Sequence, residues 1–547
     1  MSIATFITSR RENLGAAKYK VKTSRNVKTP MSDGIDLLAD IYFPVGEGDF
    51  PTILIRTPYL RKGFATFAQI YAERGFITVL QACRGTDGSG GKLEPLTCER
   101  EDGLATLKWL NEQDWFDGRL GSTGPSYLGY VQWAICDSMP ENSAISTHIA
   151  TSEYRSVLMP KGAINLQLFL SWMQLIKGLE GSPLKFTFRI LTGNVEKCTQ
   201  EAAKTLPLID ADIKTTGEKI PFWQDWMGKA NDDESLWDSL DQSKRLTKNT
   251  PANFFVSGWY DFMIDQLIRD YKTLKAAGNN PYLTIGPWFH IHPKLIAEGV
   301  RSTLAWMHAH LNGDKSDLRD KPVRLHISGL NQWFEFNDFP LPRKHKSTTL
   351  FLAANSSLQQ NKTASATPPA TYRYDPNDPT PNIGGAIFAF TGAGPRDNKK
   401  LEQRKDVLIF TGQKLENPLT IIGQVKLTLF ARSSLENTDF FARLCDVSPS
   451  DKSINICDGF ERLTPTNIKK NKDNIWQFDI IMHHSAHQFK QGHQLRLQIS
   501  SGATPRFSRN PGTGDSLLTT SKLVTADQEI FFDNNHPSAI SLPVYEL

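Results

Sequence analysis

Three residues in this 547-residue chain stand where side chains of their types could do chemistry together. Ser126 lies in "GSTGPSYLG", at a glycine-flanked junction between a strand-like run and a helix-like one. A serine there can cap the helix through its side-chain oxygen, or it can be a nucleophile held on a strained turn. A serine nucleophile needs a base to take its proton, an acid to orient that base, and donors for the oxyanion. Downstream, the strand-like runs "FFVSGWYD" and "YLTIGPWFH" end in Asp261 and His290. Serine, acid and histidine therefore arrive in an order that α/β hydrolytic sites use, each beyond the carboxyl end of a predicted strand. The spacing departs from Gly-x-Ser-x-Gly, because the second glycine, Gly129, comes one residue late.

Strands and helices alternate around these residues. A hairpin is predicted from Tyr19 to Phe43, followed by strands in "PTILIRTPY" and "FITVLQACRG" with a helix, "FATFAQIYAERG", between them. A second helix, "CEREDGLATLKWLNEQ", leads into the Ser126 region, and the alternation predicts a largely parallel, doubly wound sheet. After Met159 the pattern turns helical and rich in Trp and Phe, which reads as a helical insertion over 159–248. The catalytic α/β domain is then expected over 19–158 and 249–345. "AANSSLQQNKTASATPPATYRYDPNDPTPNIGG" reads as a polar, Pro-rich loop or linker. Beyond it "QVKLTLFAR", "DNIWQFDIIM" and "HQLRLQIS" alternate, so an all-β sandwich or jelly roll is expected over 346–547.

Bulk properties narrow the function. Sixty-two basic residues against 58 acidic ones leave a net charge of +4, with both signs scattered, which argues against a nucleic-acid or membrane surface. No apolar run approaches the roughly 20 residues of a membrane helix, and the N-terminus lacks the pattern of a secretory signal. Six cysteines without a C-x-x-C pair suit reduced thiols in a cytoplasmic protein better than a disulfide framework or a zinc site. "HIH" at 290–292, "HAH" at 308–310 and "HHSAH" at 483–487 look metal-like but lack ligands at recognised spacing, so neither metal nor cofactor is expected. Arg84 and the run Gly85–Gly91 lack the Gly-Lys-Ser/Thr of a phosphate loop.

The combination of "GPSYLG", "GWYD" and "GPWFH" resembles the cocaine esterase and X-Pro dipeptidyl-peptidase family of serine hydrolases, in which the late glycine is the normal form. The similarity runs along nearly the whole chain, from "MSDGIDLLADIYFP" and "RGTDGSGG" to "TDFFARLCDV", "GHQLRLQIS" and "PRFSRNPGTG". The resemblance implies an α/β-hydrolase fold with an inserted helical cap and a C-terminal jelly roll. It implies Ser126 as nucleophile, Asp261 as acid and His290 as base, with the Tyr59 hydroxyl and the Tyr127 backbone N–H as oxyanion donors. Asp265 and His292 compete for two of these roles. Only Asp261 follows its strand directly, and the Gly-Pro-Trp-x-His match favours His290. One departure is "QACRG", where Ala82 and Cys83 replace an aspartate common in the family and leave the local support of the sheet edge in question.

The implied substrate is a small ester or amide. Three branches are open: carboxylic esterases, X-Pro dipeptidyl-peptidases, and amino-acid ester hydrolases that act on β-lactam side chains. Amino-acid ester hydrolases carry acidic residues two and three places past the triad acid, where this chain has Met263 and Ile264. An apolar pocket mouth suits an uncharged acyl group, and the esterase branch is favoured. Trp172, Phe222, Trp223 and Trp226 read as core side chains, some of them facing a cleft under the cap. Dimers occur in the resembled family, so a homodimer is an expectation by analogy. A different class of function, an inactive core whose jelly roll binds carbohydrate or a partner, would not require a full set of catalytic groups.

Overall fold

The hairpin at the start of the chain joins β1 (Lys20–Pro30) to β2 (Asp36–Val45) in antiparallel register, with the Met31 N–H closing the turn on the Ile35 carbonyl. In the computed structural model, which describes residues 5, 14–229, 234–341, 345–363 and 367–547, this hairpin opens a ten-stranded sheet. The strands that follow are β3 (Thr52–Thr57), β4 (Ile77–Ala82), β5 (Leu120–Pro125), β6 (Ser143–His148), β7 (Ala252–Tyr260), β8 (Tyr282–Phe289), β9 (Val323–Ile327) and β10 (Gln332–Phe336). Their order is β1-β2-β4-β3-β5-β6-β7-β8-β9-β10. From β4 to β9 every neighbouring pair is parallel. Parallel strands are covered by helices on both faces, so they read as continuous apolar runs. The wholly buried β3 and β4 fit that rule.

β6 does not, and no alternation or apolar run marks it. Its Ser146, Thr147 and His148 are buried yet polar. They are tolerated between β5 and β7 because they find partners: Asn253 donates to Thr147 Oγ1 at 3.0 Å, and Thr303 to Ser146 Oγ at 3.0 Å. β4 lies between β2 and β3, not at a sheet edge, so the replacement at Cys83 falls inside the fold. There the Cys83 thiol donates to Glu99 Oε2 at 3.6 Å.

Between β6 and β7 the chain is helical, with helices at Leu166–Glu180, Pro183–Leu191, Asn194–Ala202, Ala211–Thr216, Pro221–Lys229 and Glu234–Leu240 among the described residues. Among the described residues the stretch from Pro221 to Arg245 holds two helices and a 3-10 turn; residues 230–233 within it lie outside the described residues. The C-terminal region is all β. Its longest strands, Leu419–Ser433 and Trp476–Phe489, pair antiparallel and bury Leu427, Leu429, Ile480 and Met482 on a common core. The Pro-rich segment expected to be a linker carries a strand, Ala370–Tyr374, paired with Ala526–Phe531 and burying Tyr372 and Tyr374. No helix among the described residues is long and apolar enough to cross a membrane.

The β-rich region is tied to the α/β sheet by charge. Asp265, at the start of the helix Ile264–Ala276, accepts from His483 Nδ1 at 2.7 Å, His484 Nδ1 at 2.6 Å and the His484 N–H at 2.9 Å. Arg506 donates to His483 Nε2 at 2.9 Å and to Asp458 Oδ1 at 2.5 Å, and Arg443 closes on Asp458 Oδ2 at 2.9 Å. Asp265 is thus a cross-link between domains, and "HHSAH" supplies its partners. Burial alone would raise the Asp265 carboxyl, but His483 and His484 beside it hold it well below the usual carboxylate range.

A carboxyl held low in the folded state stabilises the fold at pH values above its unfolded pKa of about 4, and that contribution is lost as pH falls toward the folded-state value. Asp265→Ala is expected to destabilise the protein by about 2 kcal/mol at pH 7, read as a lowered denaturation midpoint. The gap between wild type and variant closes as pH drops below about 4. A gap that stays constant from pH 7 to pH 3 would remove the electrostatic account.

Candidate active site

Ser126 sits directly after β5 and directly before the helix Tyr127–Trp133, with φ 58° and ψ −120°. That left-handed region is unfavourable for a residue with a Cβ and persists only where the surroundings enforce it. Two glycines do the enforcing. A Cβ on Gly124, itself at φ 151°, would stand 2.4 Å from Leu128 Cβ, and one on Gly129 would stand 2.3 Å from Ala150 Cβ. Gly129 lets the helix close against the loop after β6, and this is the packing reason for the late glycine. The Ser126 N–H donates to the His148 carbonyl at 2.9 Å, which pins the turn to β6.

Asp261 follows β7 and His290 follows β8. Since β5, β7 and β8 run parallel, their carboxyl ends share one edge of the sheet. There His290 Nδ1 meets Asp261 Oδ2 at 2.5 Å, and His290 Nε2 meets Ser126 Oγ at 2.9 Å. Asp261 is fully buried and His290 nearly so. With Nδ1–H donating to the aspartate, Nε2 is left as acceptor for the serine hydroxyl, the tautomer a general base needs. The Met263 N–H donates to the other Asp261 oxygen at 2.8 Å. Phe262 lies over the imidazole at 4.5 Å between centroids, and Phe388 meets it edge-on at 5.5 Å. The two competitors lie elsewhere in this geometry. Asp265 is engaged by His483 and His484, and the His292 side chain accepts from the Lys294 N–H at the start of a helix.

Tyr59 follows β3 and reaches the same place. Its hydroxyl oxygen accepts from Trp172 Nε1 at 3.1 Å, which leaves the phenolic hydrogen free to point elsewhere. Burial pushes the Tyr59 phenol up to about 12, so it stays a donor at neutral pH. The Tyr127 N–H opens its helix and so has no intrahelical acceptor. The Tyr127 ring is held by a buried network. Its hydroxyl donates to Glu99 Oε1 at 2.7 Å and accepts from the Leu96 N–H at 2.8 Å, while Arg56 Nη2 stands 2.8 Å from Glu99 Oε2. Trp172 stacks parallel to the Tyr127 ring, 6.3 Å between centroids. One indole from the cap therefore touches both tyrosines, a role that helical periodicity could not show.

Two cavities open beside Ser126. The larger, about 880 Å³, is lined by Ser126, Tyr59 and His290 and by apolar side chains that include Phe388 and Phe390. The smaller, about 60 Å³, is a box of Trp172, Phe222, Trp226, Phe169 and Met263. Of the four cap aromatics, Trp172, Phe222 and Trp226 face this box. Trp223 is buried in the cap core with its Nε1 donating to the Ile209 carbonyl at 2.8 Å. Phe388 and Phe390 come from an irregular segment within the C-terminal β-rich region, after the strand Ala370–Tyr374, and no local pattern marks them as lining residues.

Residues 33–292 match the X-Pro dipeptidyl-peptidase (S15 family) domain, and residues 318–541 match the X-Pro dipeptidyl-peptidase C-terminal non-catalytic domain. Cocaine esterase of Rhodococcus sp. (strain MB1 Bresler) is 31% identical over 569 residues, covering 95% of this chain and 98% of that protein. Among solved structures, an aminopeptidase from a Thaumarchaeota archaeon superposes with a TM-score of 0.80 at 20% identity, covering 97% of each chain. An α-amino acid ester hydrolase superposes with a TM-score of 0.79 at 20% identity, covering 97% of this chain and 98% of the other. At that identity the two structures speak to the fold, an α/β-hydrolase domain with a β-rich C-terminal domain. Sequence and fold together show that the chain belongs to the family of serine hydrolases that includes cocaine esterase and the S15 X-Pro dipeptidyl-peptidases.

Proposed function

We propose that this protein is a carboxylic ester hydrolase working by two-step acyl transfer, with Ser126 as nucleophile, His290 as base and Asp261 as its orienting acid. The observation that carries the reading is the chain of contacts Ser126–His290–Asp261 at 2.9 and 2.5 Å, closed on a serine held at positive φ. Ser126 Oγ attacks the ester carbonyl while Nε2 takes its proton, and Asp261 stabilises the imidazolium. The Tyr59 hydroxyl and the Tyr127 N–H receive the oxyanion, donors already in place before charge develops. His290 then protonates the leaving alcohol, and later activates the water that releases the acid.

The lining of the site offers no counter-charge to a cationic substrate. Neither cavity has an aspartate or glutamate in its wall, and the residues two and three places past Asp261 are Met263, in the small box, and buried Ile264. A substrate with a free ammonium, such as a dipeptide amide or an amino-acid ester, would lose its hydration there without a carboxylate to replace it. The same reading assigns 19–158 and 249–345 to the catalytic domain, 159–248 to the cap and 346–547 to the jelly roll. A reducing, cytoplasmic setting fits the six free thiols.

The test is hydrolysis of short p-nitrophenyl esters by wild type and Ser126→Ala, with Gly-Pro p-nitroanilide in parallel. Ester turnover is expected to fall about 10⁶-fold in the variant, with the anilide scarcely cleaved by either. Dominant anilide cleavage would move the protein to the dipeptidyl-peptidase branch, and ester turnover surviving in Ser126→Ala would remove Ser126 as nucleophile. Tyr59→Phe is expected to lower kcat by about 10²–10³ with KM little changed, since the donor acts on developing charge. Trp172→Phe keeps the stacked ring but loses the N–H to Tyr59, and is expected to lower kcat roughly fivefold, the equivalent of about 1 kcal/mol. Equal kcat in wild type and Tyr59→Phe would exclude the phenol from the oxyanion site.

A further inference from the structure

The two cavities that meet at Ser126 differ in one respect that matters for chemistry. His290 lines the larger, of about 880 Å³, together with Ser126. The smaller, of about 60 Å³, is lined by Ser126 and Tyr127 without His290. In the acyl-transfer reading above, on which this inference rests, the tetrahedral intermediate collapses by breaking the bond between the carbonyl carbon and the alcohol oxygen. The electron pair leaves with that oxygen, and the Nε2 proton of His290 passes to it. The leaving oxygen therefore has to lie within hydrogen-bond reach of Nε2. An alcohol attached to that oxygen extends into the space that His290 borders. The acyl substituent is left with the aromatic box.

We propose that the large cavity is the alcohol-binding site, and that the natural substrates are esters of short acids with bulky, apolar, uncharged alcohols. Three helices give it six of its apolar side chains: Phe64 and Phe67 from Arg61–Ala72, Leu175 and Leu179 from Leu166–Glu180, and Ile296 and Val300 from Pro293–Leu311. Lys62 at its rim is exposed and can keep its ammonium in water, and the other polar groups it reaches are already engaged or uncharged. Thr123 Oγ1 bonds Thr303 Oγ1 at 2.8 Å, and His148 Nε2 bonds Ser146 Oγ at 2.9 Å. Burial holds the His148 imidazole down to about 3, so it stays neutral. Such a wall rewards apolar area, at about fourfold in affinity for each methylene buried, the equivalent of about 0.8 kcal/mol. The box of Trp172, Phe222 and Trp226 has no comparable room, so lengthening the acid is penalised.

The experiment is a pair of substrate series followed in a pH-stat, using aliphatic alcohols so that the basicity of the leaving group stays nearly constant. In the first, acetates of ethanol, 1-butanol, cyclohexanol and decahydronaphthalen-2-ol are compared. The kcat/KM is expected to rise along the series, by up to about fourfold per added methylene. In the second, ethyl esters from acetate to octanoate are compared, and kcat/KM is expected to fall at least about tenfold beyond butyrate. Leu179→Trp and Val300→Trp narrow the large cavity and should each lower the ratio of decahydronaphthyl acetate to ethyl acetate about tenfold or more. Phe222→Ala enlarges the box and should raise the ratio of ethyl octanoate to ethyl acetate. A preference for octanoate with refusal of bulky acetates would reverse the assignment, and indifference to the alcohol would overturn it. The wild-type series decides even where Val300→Trp does not fold. No turnover of ethyl acetate, together with no labelling by a fluorophosphonate, would remove the esterase reading itself and the alcohol site with it.

Discussion

The hydrogen bond between Ser126 Oγ and His290 Nε2 joins residues 164 positions apart, and most of the fold is what makes that bond 2.9 Å long. Neither side chain could be held so by local structure. Each stands at the end of a parallel strand, so the sheet, through the order β5-β6-β7-β8, sets the spacing between serine, acid and base. The strain at Ser126 is a second part of the same constraint. A positive φ is retained because Gly124 and Gly129 allow Leu128 and Ala150 to pack where a Cβ would otherwise stand. The free energy of folding holds this geometry before any substrate arrives, which is what pre-organised catalysis requires.

Three parts of the chain converge on one serine. The sheet supplies Ser126, Asp261 and His290, the helical insertion supplies Trp172 and walls of the aromatic box, and an irregular segment of the C-terminal β-rich region supplies Phe388 and Phe390. The Trp172 indole lines the box, stacks on Tyr127 and donates to Tyr59, so in the proposed mechanism it would couple the box to both oxyanion donors. The C-terminal domain takes part in the site through Phe388, and it is held to the catalytic domain by the Asp265, His483 and Arg506 network. The C-terminal β-rich region is therefore also a wall of the cavity beside Ser126.

The residues at the ends of β5, β7 and β8 were legible because strand ends in α/β sheets place chemistry, and because "GPSYLG", "GWYD" and "GPWFH" also carry a family resemblance. Tyr59 and the Tyr127 N–H were legible only through that resemblance, since nothing in their spacing points to an oxyanion. β6 was hidden because its buried serine, threonine and histidine look like loop residues, and only cross-strand partners make them tolerable in a sheet. The strand Ala370–Tyr374 was obscured by the prolines that flank it, Pro368, Pro369 and Pro376, although Tyr372 and Tyr374 alternate with Thr371 and Arg373 as a half-buried strand should. Phe388 and Phe390 had no signal at all: their role depends on where a non-regular segment folds back, and no periodicity records that.

In the proposed mechanism Ser126 is the residue made nucleophilic by this geometry. That role is tested most directly by titrating the protein with a fluorophosphonate and locating the adduct by mass spectrometry of its peptides. One equivalent is expected to bind as activity is lost, with the added mass on Ser126. Complete inactivation with the adduct on another residue, or full ester turnover with Ser126 unlabelled, would contradict that role.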